Sequence, residues 1–243
     1  MKNLLLLTLL SLAAPAQSWA QSAPTARTET RTLPAFTAID VTDGIELEVH
    51  SGPTSEAVVD ASTAQFRRMT KTVVEGGVLK VYFDYQHEPN WQGLVHSREV
   101  FKVVVTMPEL RTLAAADGAD VTLANGLTYG TPNTLAVQLR SGATLGGAVQ
   151  VQTLDMQLRG GATAHLTGTA ATLQLRVTGG SDFRSPQLQT GQCTAFASSG
   201  STARLAVSKT LDASAINEAT IKYSGPAQLT QARREQGGKI LHL

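Results

Sequence analysis

From residue 117 onward, pairs of small residues recur along the chain, each flanked by stretches in which apolar and polar side chains alternate. The pairs are Asp117-Gly118, Ser141-Gly142, Gly160-Gly161, Gly179-Gly180, Ser199-Gly200 and Gly237-Gly238, with a degenerate copy at Asn217-Glu218. Their second members are spaced 24, 19, 19, 20, 18 and 20 residues apart. Seven, five and three residues before each pair's second member stand Leu135/Val137/Leu139, Leu154/Met156/Leu158 and Leu173/Leu175/Val177. Cys193/Ala195/Ala197 and Leu211/Ala213/Ala215 continue those columns with smaller groups. Three and five residues after it come Val121/Leu123, Ala164/Leu166, Ala203/Leu205, Ile221/Tyr223 and Leu241/Leu243. A period of two on both flanks predicts strands with one buried face, and helical spacing fits none of them.

Two strands in every ~20 residues, with the same column order each time, are accommodated by stacking each copy on the one before, so that equivalent strands pair in parallel. The predicted fold is therefore all-β: a single-domain parallel β-helix (β-solenoid), right-handed, with coils of ~19–20 residues. Gly118, Gly142, Gly161, Gly180, Gly200 and Gly238 are the predicted corners, where a sharp bend calls for positive φ. A coil this short buries too little apolar surface to fold alone, so the stack is expected to be cooperative. Outward at each corner stand Asp120, Thr144, Thr163, Asp182, Thr202 and Thr220, read as a stabilising ladder. The last coil places Gln231, Arg233 and Glu235 where earlier copies bury Leu or Ala. That fits a polar end cap, or a place where subunits meet through Leu241 and Leu243.

The segment before the repeats is compatible but less regular. Ile39/Val41, Ile45/Leu47/Val49, Leu79/Val81/Phe83 and Phe101/Val103/Val105 alternate as strands, with turns at Asp43-Gly44 and Gly76-Gly77 and a short helix within 62–70. Residues 1–20 read as a signal peptide: Lys2, an apolar stretch from Leu4 to Leu12, then Ser18-Trp19-Ala20 ahead of the cut. Residues 21–32 read as a flexible leader and 33–243 as the solenoid, with 33–110 its irregular N-terminal coils and 111–243 its Gly-cornered repeats. No later apolar run reaches the ~20 residues of a membrane helix. The expected destination is the periplasm, the outer surface or the medium. A net charge of +1, 16% charged and 5% aromatic residues argue against a nucleic-acid surface.

The opening Leu33-Pro34-Ala35-Phe36-Thr37-Ala38-Ile39-Asp40-Val41 is followed by Gly44, His50-Ser51-Gly52 and Gly77-Val78-Leu79-Lys80-Val81. Val103-Val104-Val105-Thr106-Met107-Pro108-Glu109-Leu110, the Ser-Gly repeats and Tyr223-Ser224-Gly225-Pro226 then come in order. In that order these segments resemble the bacterial family called "putative auto-transporter adhesin, head GIN domain", over about residues 32–243. The resemblance implies an exported parallel β-helix, related in shape to pectin-lyase folds, with a role in surface adhesion and no known catalytic residues. Asn217-Glu218, and Gly-Gly in place of Ser-Gly at several corners, depart from its pattern.

Candidate chemistry is sparse. Arg140 and Arg159 fall in one outward column with Arg176 close by, a row suited to an acidic glycan or another anionic envelope polymer, or else a solvated basic stripe. Trp91 either stacks on a sugar ring or caps the core. Asp84, His87, Glu88 and His96 share one loop, as a zinc site or as solvated side chains; the sequence carries no metal motif and points to no cofactor. Asp120 and Asp182 lie three coil steps apart, roughly 14 Å at strand spacing, too far for a glycosidase pair. The lone Cys193 excludes an internal disulfide and reads as a buried small hydrophobe, against an intermolecular link or a nucleophile. The leading expectation is a non-catalytic exported adhesin-like or envelope-binding protein. The alternatives are a β-helix polysaccharide lyase or hydrolase and a purely structural envelope protein.

Overall fold

The computed structural model describes residues 27–86 and 101–243. Residues 1–26, expected to hold a signal peptide and most of a flexible leader, therefore lie outside the described residues, as do His87, Glu88, Trp91 and His96. What is described is all-β, with one short helix. In chain order come β1 (Thr28–Thr32), β2 (Ala38–Val41), β3 (Glu46–Ser51), β4 (Glu56–Ala61), α1 (Ala64–Met69), β5 (Thr70–Glu75), β6 (Val78–Phe83), β7 (Phe101–Met107), β8 (Thr112–Ala115) and β9 (Asp120–Leu123). The repeats follow as β10 (Thr134–Arg140), β11 (Thr144–Arg159), β12 (Thr163–Val177), β13 (Asp182–Ala197), β14 (Thr202–Ala215), β15 (Thr220–Ser224), β16 (Gln228–Arg234) and β17 (Lys239–His242). All belong to a single hydrogen-bonded sheet.

Pairing through the repeats is parallel and in register. Leu139 faces Leu158, which faces Val177, which faces Ala197. These four are buried to 1% exposure or less, so the row expected to point inward does so. Asp120, Thr144, Thr163, Asp182, Thr202 and Thr220 face one another in turn on the opposite side of the strand. Between the two flanks of each copy the chain turns through a residue pair with positive φ. Hydrogen bonds link successive turns: Gly118 N–H donates to Ser141 O, Gly142 to Gly160 O, Gly161 to Gly179 O, Gly180 to Ser199 O and Gly200 to Asn217 O, at 2.9–3.0 Å. The bend therefore carries its own ladder, through the N–H of the second residue of each pair.

The N-terminal strands join the same ladder out of sequence order. β2 pairs with β8, and β3 with β9, both in parallel. Asp43 and Gly44 have φ of 62° and 67°, and Gly44 N–H donates to Asp117 O at 3.0 Å. That turn is the first of the corner series. Beyond it β6 and β7 add one further parallel step onto β2 and β3. Antiparallel strands follow: β5 on β6 through the Gly76-Gly77 turn, and β4 on β7. The end of the stack is thus closed by strands of reversed direction, which cannot continue the parallel series. α1 packs there, capped by the Thr63 hydroxyl accepting from Phe66 N–H at 3.1 Å, and buries Phe66 and Met69.

Three expectations are corrected. The leader does not run to residue 32, because Thr28–Thr32 forms β1 and pairs antiparallel with β4. The last corner is not Gly237-Gly238: positive φ falls on Gln236 (47°) and Gly237 (79°), one residue earlier. Ile240 therefore faces Ile221 and is buried, while Leu241 and Leu243 are 43% and 73% exposed. The residues facing Leu211, Ala213 and Ala215 are accordingly Leu229, Ala232 and Arg234, not Gln231, Arg233 and Glu235, because the register slips between Leu211 and Asp212. A second irregularity lies around Pro186, which has no N–H to give the ladder. The Ser185 hydroxyl, itself buried, accepts from Leu166 N–H at 2.9 Å there.

Candidate functional site

The outward faces carry the charged groups, since every second strand position is committed to the core. Arg140 and Arg159, both exposed, stand directly opposite each other on β10 and β11. Arg159 donates to the Gln157 amide oxygen at 2.9 Å. Arg176 is two positions along from that column: it faces Gln157 on one side and Phe196 on the other, its guanidinium carbon 4.5 Å above the Phe196 ring. The structure therefore brings the three arginines onto neighbouring positions of one face, with Arg176 held by a cation–π contact.

A second cationic row was not anticipated. Arg184 on β13 faces Arg204 on β14, which faces Lys222 on β15. Arg184 is paired with the Asp182 carboxylate, and no ion pair to Arg204 or Lys222 is found among the described residues. The signal was present in the sequence: each lies four residues after a corner's second member, at Gly180, Gly200 and Glu218. Only β13, β14 and β15 fill that column with cations, so it does not stand out as a repeat.

A carboxylate cluster also escaped sequence reasoning. Glu46 faces Asp120, and Glu48 faces Thr122, on paired strands β3 and β9. Lys102 reaches Glu48 at 2.8 Å and Glu46 at 3.5 Å, and His50 Nε2 lies 2.8 Å from Glu48. Hydrogen bonds from Lys102 and then His50 hold Glu48 below the usual carboxylate range. Burial, and then the Glu46 charge, push Asp120 above it. Aligning Asp43-Gly44 with the later corners would have placed Glu46 in the Asp120 column. Asp120 and Asp182 themselves stay apart, with the Thr144 and Thr163 strands between them.

Comparison with known families adds one finding that decides membership. The family model described as "Putative auto-transporter adhesin, head GIN domain" matches residues 35–227. This chain belongs to that family. The GIN-domain match stops before β16, so the last strand pair lies beyond it. Among solved structures, a putative adhesin from Bacteroides fragilis superposes with a TM-score of 0.74 at 18% identity, over 89% of this chain and 96% of that one. A putative adhesin from Parabacteroides merdae gives 0.64 at 15% identity, covering 89% and 95%. A putative lipid binding protein from Parabacteroides distasonis gives 0.57 at 15% identity, covering 90% and 98%. At these identities the likeness is one of fold. No curated protein matches the chain.

Other candidate groups of the GIN-domain chain are placed as follows. Asp84 lies 3.7 Å from the Lys71 ammonium. Among the described residues no three His, Cys, Asp or Glu side chains group to hold a metal, and no helix is long and apolar enough to cross a membrane. Cys193 is 3% exposed, facing Leu173 and Leu211 in the inward row. Burial, and then the Asp212 charge, push its thiol up to about 12. Since the thiolate is the reactive form, the native protein should take up no Ellman's reagent at pH 8 and one equivalent in denaturant. Rapid labelling of the native chain would mean an open interior at this rung.

Proposed function

We propose that this GIN-domain chain is a non-catalytic, exported, adhesin-like protein whose parallel ladder is a right-handed β-solenoid, presenting outward cations to an anionic polymer of a cell envelope or surface. The observation that carries the reading is Arg140 set directly opposite Arg159, with Arg176 beside them. Like charges facing each other across paired strands are destabilising on their own, and a polyanion laid along the strands turns that repulsion into attraction. A stack of paired strands suits this role because it fixes the spacing of the cations without loops that must be ordered on binding.

Export would follow removal of residues 1–20, which takes Lys2 away and leaves a formal charge of zero from the starting +1. Attraction to an anion would then come from local rows and not from net charge. Contact between copies, in this reading, falls at the last rung: β16 pairs only with β14 and β17 only with β15 among the described residues, and Leu241 and Leu243 stand exposed beside them.

The test is binding to polygalacturonate and to lipopolysaccharide at low and high salt, alongside an assay for released reducing ends. Binding should weaken with salt, and Arg140→Glu/Arg159→Glu should weaken it by roughly tenfold or more. Unchanged binding by that variant removes the arginine row as the site. Release of reducing ends would replace the adhesin reading with the polysaccharide-active one.

A further inference from the structure

The one long spacing in the repeat, 24 residues between Gly118 and Gly142, has a structural counterpart. Where β11 and β12 run on without a break, the chain between Leu123 and Thr134 leaves the ladder as an excursion. Its conformation is tied down. Leu127 and Tyr129 are buried, Leu110 N–H donates to Thr128 O at 2.8 Å, and Gln152 N–H donates to Asn133 O at 2.9 Å. The Asn133 amide donates to Gln150 O at 3.3 Å, and the Tyr129 hydroxyl contacts Ala148 O at 3.4 Å. The excursion stands as one wall of a cleft of about 660 Å³, whose other wall is Ala148, Val149 and Gln150 of β11 with Gly168 and Thr169 of β12. That volume falls within the ~300–1,000 Å³ range of small-molecule sites.

From its lining, we infer that this cleft is a binding site for a neutral pyranose disaccharide. The exposed rim supplies amides and hydroxyls, from Asn125, Gln150, Thr128 and Thr169, while Leu127 and Val149 supply apolar floor. No carboxylate, ammonium or guanidinium lines it, and burial pushes the Tyr129 phenol up to about 12, so it too stays uncharged. A ligand matched to such walls is itself uncharged, with hydroxyls around its edge and C–H groups on its faces, which describes a sugar ring. A peptide added as a further strand is disfavoured: β12 pairs on both sides beneath the cleft, and the one unpaired edge, β11 at residues 148–150, is met by the excursion through the Tyr129 hydroxyl on Ala148 O and the Asn133 amide on Gln150 O. Insertions into a repeat that project from one face are where such proteins place binding sites. The site uses none of the arginines invoked for polyanion binding, and its success or failure is independent of theirs.

The experiment titrates the full chain with cellobiose, maltose, lactose and chitobiose, following backbone amide signals by NMR. At least one sugar should shift Thr128, Gly130, Gln150 and Thr169 saturably, with the same affinity at low and high salt. Asn125→Ala/Gln150→Ala, both exposed side chains, should weaken that affinity by roughly tenfold, the worth of one or two hydrogen bonds. Thr169→Trp, a strand-compatible residue that fills the cleft, should abolish it. Arg140→Glu/Arg159→Glu should leave it unchanged. If none of the four sugars moves these amides, or if both cleft variants bind as well as the parent, the inference is overturned.

Discussion

Replacing Gly168 by alanine should cost about 3 kcal/mol or more, the range reached when a mutation forces backbone strain. Gly168 has φ of 103°, and a Cβ built on it falls 2.1 Å from Val149 O and 3.1 Å from Val149 C. Both obstructing atoms are backbone, on the strand paired with it in register, so no side-chain rotation relieves the contact. Gly161→Ala is the matched control. Its φ is 79°, but nothing lies within 4 Å of the added carbon, so only the left-handed conformation is penalised, at roughly 1–2 kcal/mol. At about 2–4 °C per kcal/mol for a domain of this size, Gly168→Ala should melt roughly 10 °C below the parent by circular dichroism, and Gly161→Ala a few degrees below. Equal melting temperatures for the two variants would show that close approach at Gly168 carries no weight. The pair separates two uses of glycine that the sequence writes identically: room for a bend, and room for a neighbour.

That ambiguity marks where the sequence stops being readable. The inward columns from Leu135 to Ala215 could be aligned by eye because each copy directly follows the last, and a period of two fixes which side chains go in. The N-terminal copy could not. β2 and β3 pair with β8 and β9, and the segment between them, β4 to β7, folds onto the end of the stack. Nothing in local alternation records a pairing across that distance. The last corner failed for another reason: Gly237 and Gly238 are equally permissive, and the choice fell to Gln236 entering the left-handed region beside Gly237. Gln236 matches Asn217 and Ser199, which hold φ of 48° and 57° at the first corner position without being glycine.

The candidate site follows the same divide. Arg140 and Arg159 were visible because they precede consecutive corners at the same offset. Arg184, Arg204 and Lys222 obey an equally strict offset, but His165 and Gly146 occupy the preceding steps, so charge appears only when the column is followed in three dimensions. The two rows lie on either side of the corner ladder. A polymer bound along one would leave the other free for a second chain.

Leu158→Ala tests whether the strands fold as one body. Leu158 is fully buried between Leu139 and Val177, with apolar neighbours on both adjoining strands. Truncating such a residue costs about 2–5 kcal/mol, from lost transfer free energy plus the cavity left behind. The location of the loss is informative. In a stack whose copies cannot fold alone, destabilising one step destabilises every step that rests on it, so urea unfolding should remain a single transition with a lower midpoint and an unchanged slope. The Phe66 cluster under α1 should lose structure at the same midpoint although it lies at the far end, and the ring-proton NMR signals of its aromatic groups, Phe66, Phe83 and Phe101, report on it separately from the strands. Two transitions in Leu158→Ala, with the aromatic signal surviving the first, would mean that the antiparallel end is an independent folding unit and that the parallel copies are held by their nearest neighbours alone. One shared midpoint would mean that burial at β11 is felt across the whole sheet, the rigidity that a fixed row of cations requires.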